Sequence, residues 1–387
     1  MNLNVDKSTW KRVAFGDVID SVADRVDNPS EAGVDRYVGL EHLDPGVMTV
    51  QRWASPDKVE AQKLRFQPGD VIFGRRRAYQ KKVAKADFEG ICSAHALVLR
   101  ARPDYVDPEF LPVFLSSDYF LERAIEISVG SLSPTINWRD LKVQEFDLPP
   151  LDEQKRIADL LWAVEHHRAA LVSAGSSVGT AADQAFANEL REHEGSTVPL
   201  PKLVDDMTVG VVVRPAQYYT NDPSGVPALR GLNIKRGGFD LEHLVLFDNR
   251  SAAELSKSTL RRGDVVIVRT GRPGDAAVVS AETEGFNCID LIIARPGAHL
   301  LSEFFSSYLN SPYGSAQVAR LSAGTAQQHF NVGSLKKLEV PLLSVREQGQ
   351  IVARIDAVRQ ARSVIGDESA VLASLRSSLL TDVFGGN

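Results

Sequence analysis

Cysteine is almost absent: Cys92 and Cys288 are the only two in 387 residues, too few for a disulfide framework or a cysteine-based zinc site. Such usage is expected of a reducing, cytoplasmic compartment. No stretch approaches the roughly 18 consecutive apolar residues of a membrane-spanning helix. The opening Met1-Asn2-Leu3-Asn4-Val5-Asp6 has no basic region followed by an apolar one, so neither a membrane span nor a secretory signal is expected. An excess of cations is also missing. The 44 Lys and Arg against 50 Asp and Glu give a net charge of −6, which argues against indiscriminate coating of nucleic acid. It leaves room for a DNA reader with local basic surfaces, because phosphates respond to the nearby field. What is present, 43% hydrophobic and 24% charged residues, is ordinary for a globular chain and excludes a disordered or fibrous one. At roughly 100–200 residues per domain the length allows two or three domains.

The chain is written twice. Gly69-Asp70-Val71-Ile72 matches Gly263-Asp264-Val265-Val266 at a shift of 194. The same shift pairs Gly130 with Gly324, Asn137 with Asn331, Leu141 with Leu335, Glu153-Gln154 with Glu347-Gln348 and Ile157 with Ile351. Gly39-Leu40 pairs with Gly231-Leu232 at 192, so a small insertion lies between. A constant offset over so many short blocks indicates a duplication. The halves differ in charge: residues 1–195 carry 24 basic and 31 acidic residues, 196–387 carry 20 and 19.

Each half has two parts. The first contains short apolar or alternating runs bounded by turn residues, at Val34–Leu40, Asp70–Phe73, Ala94–Leu99, Ala228–Leu232, Asp264–Arg269 and Cys288–Ala294, which read as strands. Helical stretches intervene at Pro108–Ile127 and Ser302–Leu321, so a mixed α/β domain is expected. The second part changes period. Ile157, Val164, Leu171, Val178 and Ala185 step by seven, as do Ile351, Val358, Ile365, Leu372 and Leu379. Sustained seven-residue spacing predicts a long helix with a coiled-coil seam, and some 40 residues make a rod of roughly 60 Å. Asp152 is the expected cap of the first helix; Ser344 with Glu347 forms a capping-box pattern for the second. Pro149-Pro150 and Pro341 stand just ahead, where proline does no harm. The small residues Ala174, Gly175, Ala181, Ala182 and Ala185 would admit a partner helix closely. Two matched rods favour mutual antiparallel pairing over simple domain packing. The expected division is therefore 1–150 and 196–342 for the α/β parts, with helices over 151–195 and 343–387.

Motifs for chemistry are missing. There is no G-x-x-x-x-G-K-[ST] loop, no G-x-G-x-x-G, no H-E-x-x-H and no Asn-Pro-Pro-aromatic segment. His166-His167 is an adjacent pair pointing to different helix sides, a poor metal site. Glu153-Gln154-Lys155 has the E-x-K spacing of metal-dependent nucleases, with Asp104 upstream, but the second copy reads Glu347-Gln348-Gly349. Both stand where a helix starts, a position that favours acids for other reasons. No catalytic residue, metal ligand or cofactor-binding residue is therefore assigned in this chain.

Polar residues suited to DNA are present. Arg75-Arg76-Arg77-Ala78-Tyr79-Gln80-Lys81-Lys82-Val83-Ala84-Lys85 puts six cations into eleven residues, directly after the strand at 70–73. Cations position a protein on phosphates, while Arg to guanine and Gln to adenine read base edges. A solvated face is the alternative for any basic cluster. The second copy has Arg269-Thr270-Gly271-Arg272 at the same place, so the frame repeats while its polar residues differ. A second loop precedes each helix: Gly130-Ser131-Leu132-Ser133-Pro134-Thr135-Ile136-Asn137, and Gly324-Thr325-Ala326-Gln327-Gln328-His329-Phe330-Asn331. Ordinary turn chemistry also accounts for Gly and Asn there. Candidate DNA contacts are thus Arg75, Arg76, Arg77, Tyr79, Gln80, Lys81, Lys82, Ser133, Thr135 and Asn137, and Arg269, Thr270, Arg272, Gln327, Gln328, His329 and Asn331.

The segment Leu148-Pro149-Pro150-Leu151-Asp152-Glu153-Gln154-Lys155-Arg156-Ile157, its weaker echo from Val340-Pro341-Leu342 to Glu347-Gln348-Gly349-Gln350-Ile351, and the repeated Gly-Asp-Val block resemble the specificity (S) subunits of Type I restriction–modification systems. The resemblance covers nearly the whole chain. It implies two target recognition domains joined and spaced by two long antiparallel coiled-coil helices, a pseudo-twofold repeat reading a bipartite double-stranded DNA site. It also implies methyltransferase (M) subunits, two of them, and restriction (R) subunits as partners, with S-adenosylmethionine, ATP and Mg²⁺ on those partners. The chain would itself be non-catalytic, directing adenine methylation and restriction by others. The rods would set the half-site separation on the scale of duplex turns, about 34 Å each. The second helix start departs from the pattern, with two extra residues and no double proline. The competing readings are a stand-alone nuclease or methyltransferase, and a coiled-coil scaffold that never touches DNA.

Overall fold

A computed structural model describes residues 5–192, 195–322 and 329–385. The chain forms two compact units, one of residues up to 173 together with those from 365 onward, the other of 174–364.

In the first unit the central sheet runs in the order Ile19–Val22, Leu97–Ala101, Val71–Phe73, Val83–Lys85, all antiparallel, with Val71 opposite Leu99 and Phe73 opposite Leu97. Val71, Ile72 and Phe73 are all buried, so both sheet faces are covered, which explains the uninterrupted apolar run. A second sheet is ordered Arg25–Val26, Lys63–Phe66, Gly90–Ser93, Tyr37–Val38, the last pairing parallel. A core of Phe15, Phe110, Phe114, Phe120 and Phe146 joins the sheet to its helices.

The second unit has the same central order, Val204–Val209, Leu291–Pro296, Val265–Val268, Ala276–Val278. Its other sheet differs. Tyr219–Thr220 and Val245–Phe247 come first, then Val226–Leu229, with Asn287–Cys288 at the edge. The frame is kept and the periphery is rearranged. Phe304, Phe305, Tyr308 and Phe330 fill this core. Each unit buries one free cysteine, Cys92 and Cys288, and burial pushes both thiols well up.

The helical stretches expected at 108–127 and 302–321 are present, each as two helices. Phe110–Leu115 ends before Asp118–Glu126, and Ser302–Asn310 before Pro312–Ser322. Ser117 restarts the first by accepting the Phe120 N–H, and Pro312 stands at the first position of the second.

Two long helices follow the α/β parts: α1, Leu151–Glu192, and α2, Val345–Phe384. In the first unit, Ile157, Leu161 and Trp162 of α1 join Leu379, Val383 and Phe384 of α2 in one cluster, and His167 Nε2 lies 3.3 Å from Glu368 Oε1. In the second, Arg354 pairs with Glu189, and Arg362 packs on Gly179. Numbers fall along one helix as they rise along the other, so the pairing within each unit is antiparallel. Ile157, Val164, Ile351 and Leu379 are buried; Leu171, Val178, Val358, Ile365 and Leu372 are half-buried.

Two details of the helices differ from expectation. Ala185 is exposed, and the buried positions there are Phe186 and Leu190. A seven-residue step lags a straight helix by about 20° per heptad, so after four steps the inward face belongs to the next residue. Ala174 and Ala181 are also exposed. The small residue that matters is Gly179, where a Cβ would stand 2.9 Å from the Arg362 guanidinium. Asp152 is not the cap either: α1 begins at Leu151, leaving Asp152 inside the first turn. At α2 the capping box is present, with Ser344 N–H donating to Glu347 Oε2 at 2.8 Å and Glu347 N–H to Ser344 Oγ at 3.3 Å.

Candidate nucleic-acid interface

In the first unit the central strand ends at Phe73 and the chain enters the basic segment. At the strand's opposite end, Asp70 is 1% exposed and receives Arg100 at 2.6 and 2.9 Å. The basic segment is pinned to the other candidate loop. Ile136 N–H donates to Arg75 O at 2.9 Å and Arg77 N–H to Pro134 O at 2.7 Å. Arg76 Nη2 and Arg77 Nε each reach Ser133 Oγ at 3.3 Å. Two polar segments some 55 residues apart in sequence thus form one surface. Arg77 and Lys81 both adopt positive φ, 57° and 52°, turning the chain sharply around the short helix Ala78–Gln80. Tyr79 is 52% exposed and Gln80 is half-buried.

The cations there are not equivalent. Lys81 is paired with Asp118, Lys82 donates to Leu40 O at 2.6 Å, and Lys85 is held by Glu109 at 2.7 Å. Arg75 is half-buried, leaving Arg77 as the exposed arginine of the three. Thr135 bridges to Arg76 and to Val129 and is half-buried. Asn137 stands at the start of the helix Trp138–Leu141, with its side chain 3.3 Å from Asp140.

The second unit repeats the arrangement with different side chains. Asp264 is buried and paired with Arg295 at 3.1 Å. Phe330 N–H donates to Arg269 O at 3.0 Å, the same contact as Ile136 to Arg75, displaced by 194 at both ends. Arg269 is only 11% exposed and is drawn to Asp290 through Nη1. Its Nη2 donates to His329 Nε2 at 2.6 Å, which leaves His329 Nδ1 to bond Thr270 Oγ1 at 3.1 Å. Arg269 is therefore a positioning group for His329, not a free cation. Arg272 is exposed, though it donates to Ile234 O at 2.7 Å and pairs with Asp275 at 3.1 Å. Asn331 caps the helix Val332–Leu335, accepting Ser334 N–H at 2.9 Å. Gln327 and Gln328 lie outside the described residues.

Residues 7–173 match the Type I restriction modification DNA specificity domain. The chain is 26% identical to the Type I restriction enzyme EcoBI specificity subunit of Escherichia coli over 315 residues, 71% of this chain and 64% of that one. To the Escherichia coli EcoDI specificity subunit it is 27% identical over 159 residues, 39% and 33% of the two chains. It thus spans less than two thirds of either relative. A chain of a solved type I R-M system superposes with a TM-score of 0.63 at 22% identity, covering 98% of both chains. Over residues 7–173 the chain thus resembles the Type I restriction–modification specificity subunits, and the superposition shows that it shares their fold.

The motif at each long-helix start has a physical role. Gln154 and Gln348 are both buried. Gln154 accepts Asp107 N–H at 2.9 Å and donates to Tyr105 O and Pro149 O at 3.0 and 2.9 Å. Gln348 accepts Leu301 N–H at 2.8 Å and donates to His299 O and Leu343 O at 2.9 and 3.0 Å. Every partner is displaced by 194. Sequence reading missed two members of the polar surface. Asp290, at positive φ, orients Arg269. His95 lies near Arg75 and Arg76; burial, then those charges, hold its imidazole below the ordinary value. Each is a single residue in a turn whose partners are distant in sequence, so no local pattern marks it.

Proposed function

We propose that this chain is the sequence-reading, non-catalytic subunit of a Type I restriction–modification complex. On this reading each unit contacts one part of a bipartite double-stranded DNA target, and methyltransferase and restriction subunits act on what it selects. One observation carries the proposal: an identical backbone contact, Arg75 with Ile136 and Arg269 with Phe330, holds chemically different side chains at its tip. A duplicated frame with Arg77 and Tyr79 on one copy and Thr270, Arg272 and His329 on the other suits two different sequences. Cations position such a tip on phosphates, and the neutral polar groups and the tyrosine ring supply contacts to base edges. Adenine methylation would use S-adenosylmethionine bound by the methyltransferase subunits, two in our reading, and restriction would use ATP and Mg²⁺ on the restriction subunits.

Reconstitution tests this. The purified chain with DNA, Mg²⁺ and labelled S-adenosylmethionine is expected to transfer nothing; added methyltransferase subunits of the same system should produce adenine methylation at one two-part sequence. Transfer by the chain alone, or methylation that ignores sequence in the complex, would refute the proposal.

A further inference from the structure

The first unit contains a cleft of about 1020 Å³ between the first strand region, the helix Asp118–Glu126 and the end of α2. Trp10, Leu380 and Phe384 give it an apolar wall, and polar groups surround that wall. Most of those groups are satisfied. Lys81 is paired with Asp118, Lys7 Nζ donates to Gly385 O at 2.9 Å, and Asp147 faces Arg12 at 3.6 Å.

Arg376 is different. Its side chain is 9% exposed, yet Nε and Nη2 are buried with no hydrogen-bond acceptor. The nearest carboxylate, Glu165, stands 4.0 Å from Nε and is already held by Arg168 at 2.8 and 3.3 Å. Nη1 lies beside Gly46, which lines the same cleft. A second buried donor on this cleft, Trp10 Nε1, also has no acceptor. Buried guanidinium groups ordinarily find acceptors for their five N–H bonds. Burial pushes Arg376 below its usual range, Arg168 adds to this, and Glu165 opposes it. A desolvated cation without a bonded counter-charge gains from any oxyanion that reaches it.

We propose that this cleft binds a small organic oxyanion, a carboxylate or phosphate on an apolar body, with its oxygens on Arg376 and its body against Trp10 and Phe384. The lining has as many acids, Asp118, Glu122 and Asp147, as cations, Lys7, Lys81 and Arg376, so it offers no basic stripe for a polyanionic backbone and suits a single oxyanion better than a stretch of nucleic acid. The site is separate from the DNA reading and does not depend on it.

The test uses the full chain, titrated with phenyl phosphate, phenylacetate and inorganic phosphate, and followed by tryptophan fluorescence and Tm. Saturable binding of phenyl phosphate or phenylacetate is expected, about tenfold or more tighter than inorganic phosphate, and the stronger of the two identifies the oxyanion. Arg376→Gln should weaken it by a further factor of about ten or more. Should that variant not fold, Thr381→Trp, at an exposed position on the cleft, should abolish binding by filling it. Absence of saturable binding to the unmodified chain, or binding unchanged in Arg376→Gln or Thr381→Trp, would overturn the proposal.

Discussion

Gln154 accepts the backbone N–H of Asp107 at 2.9 Å from inside the first turn of α1, tying the start of a 42-residue helix to the loop ahead of the helix Phe110–Leu115. Both of its amide hydrogens and one of the two lone pairs on its carbonyl oxygen go to that loop and to Pro149. Leucine has a similar size and none of these bonds. Gln154→Leu should therefore cost about 3 kcal/mol, because a buried N–H and buried carbonyls lose their partners. Gln348→Leu should cost a similar amount. Chemical denaturation of each variant measures this, and a loss below about 0.5 kcal/mol would show the staple to be dispensable.

The buried aspartates should respond unequally. Asp70 and Asp264 occupy the same place in the repeat, but Arg100 keeps 43% of its side chain exposed and Arg295 only 18%. Removing Asp70 lets Arg100 regain water, a loss of about 2 kcal/mol. Removing Asp264 strands a more buried cation, although Asp206 at 3.1 Å retains part of its charge balance. Asp264→Ala should cost more, about 3–5 kcal/mol. Equal losses in denaturant titrations would contradict this ordering.

Drift of the heptad seam yields a sharp contrast along α1. Leu190 is fully buried among Phe186, Leu200 and Leu343, so Leu190→Ala should cost about 2–5 kcal/mol. Ala185→Glu, on the outer face, should stay within about 0.5 kcal/mol of the parent. Thermal unfolding of the two variants decides whether the inward face has moved as described.

His95 supplies a pH dependence. Its imidazole is held below the ordinary value by burial, then by Arg76, Arg75 and Lys63. A depressed histidine means the unfolded chain takes up the proton first as pH falls through about 6.5, so stability is unaffected above that pH and declines below it. Arg76→Ala should move the His95 titration upward in an NMR titration. No movement would place the charges elsewhere.

Much of this architecture was legible because duplication writes the same signal twice. The Gly-Asp-Val block marks the central strand of both units, and the capping box at Ser344 and Glu347 marks the start of α2. Local patterns failed where tertiary contacts decide. Heptad counting carried the seam to Ala185, past the point where a straight helix turns it outward. Charge counting treated Lys81, Lys82 and Lys85 like Arg77, although Asp118, Leu40 and Glu109 hold the lysines. The acidic partner of Arg269, Asp290, stands 21 residues away in a turn. No spacing rule connects such pairs.

The central claim, that each unit reads its own part of the target, is tested most directly by exchange. Residues 1–150 would be replaced by the equivalent segment of a Type I specificity subunit, and the chain co-expressed with the proposed methyltransferase subunits in a methylation-free host. Mapping modified adenines across the genome should then show a two-part motif with one part changed and the other retained. A motif altered in both parts, or in neither, would contradict the account.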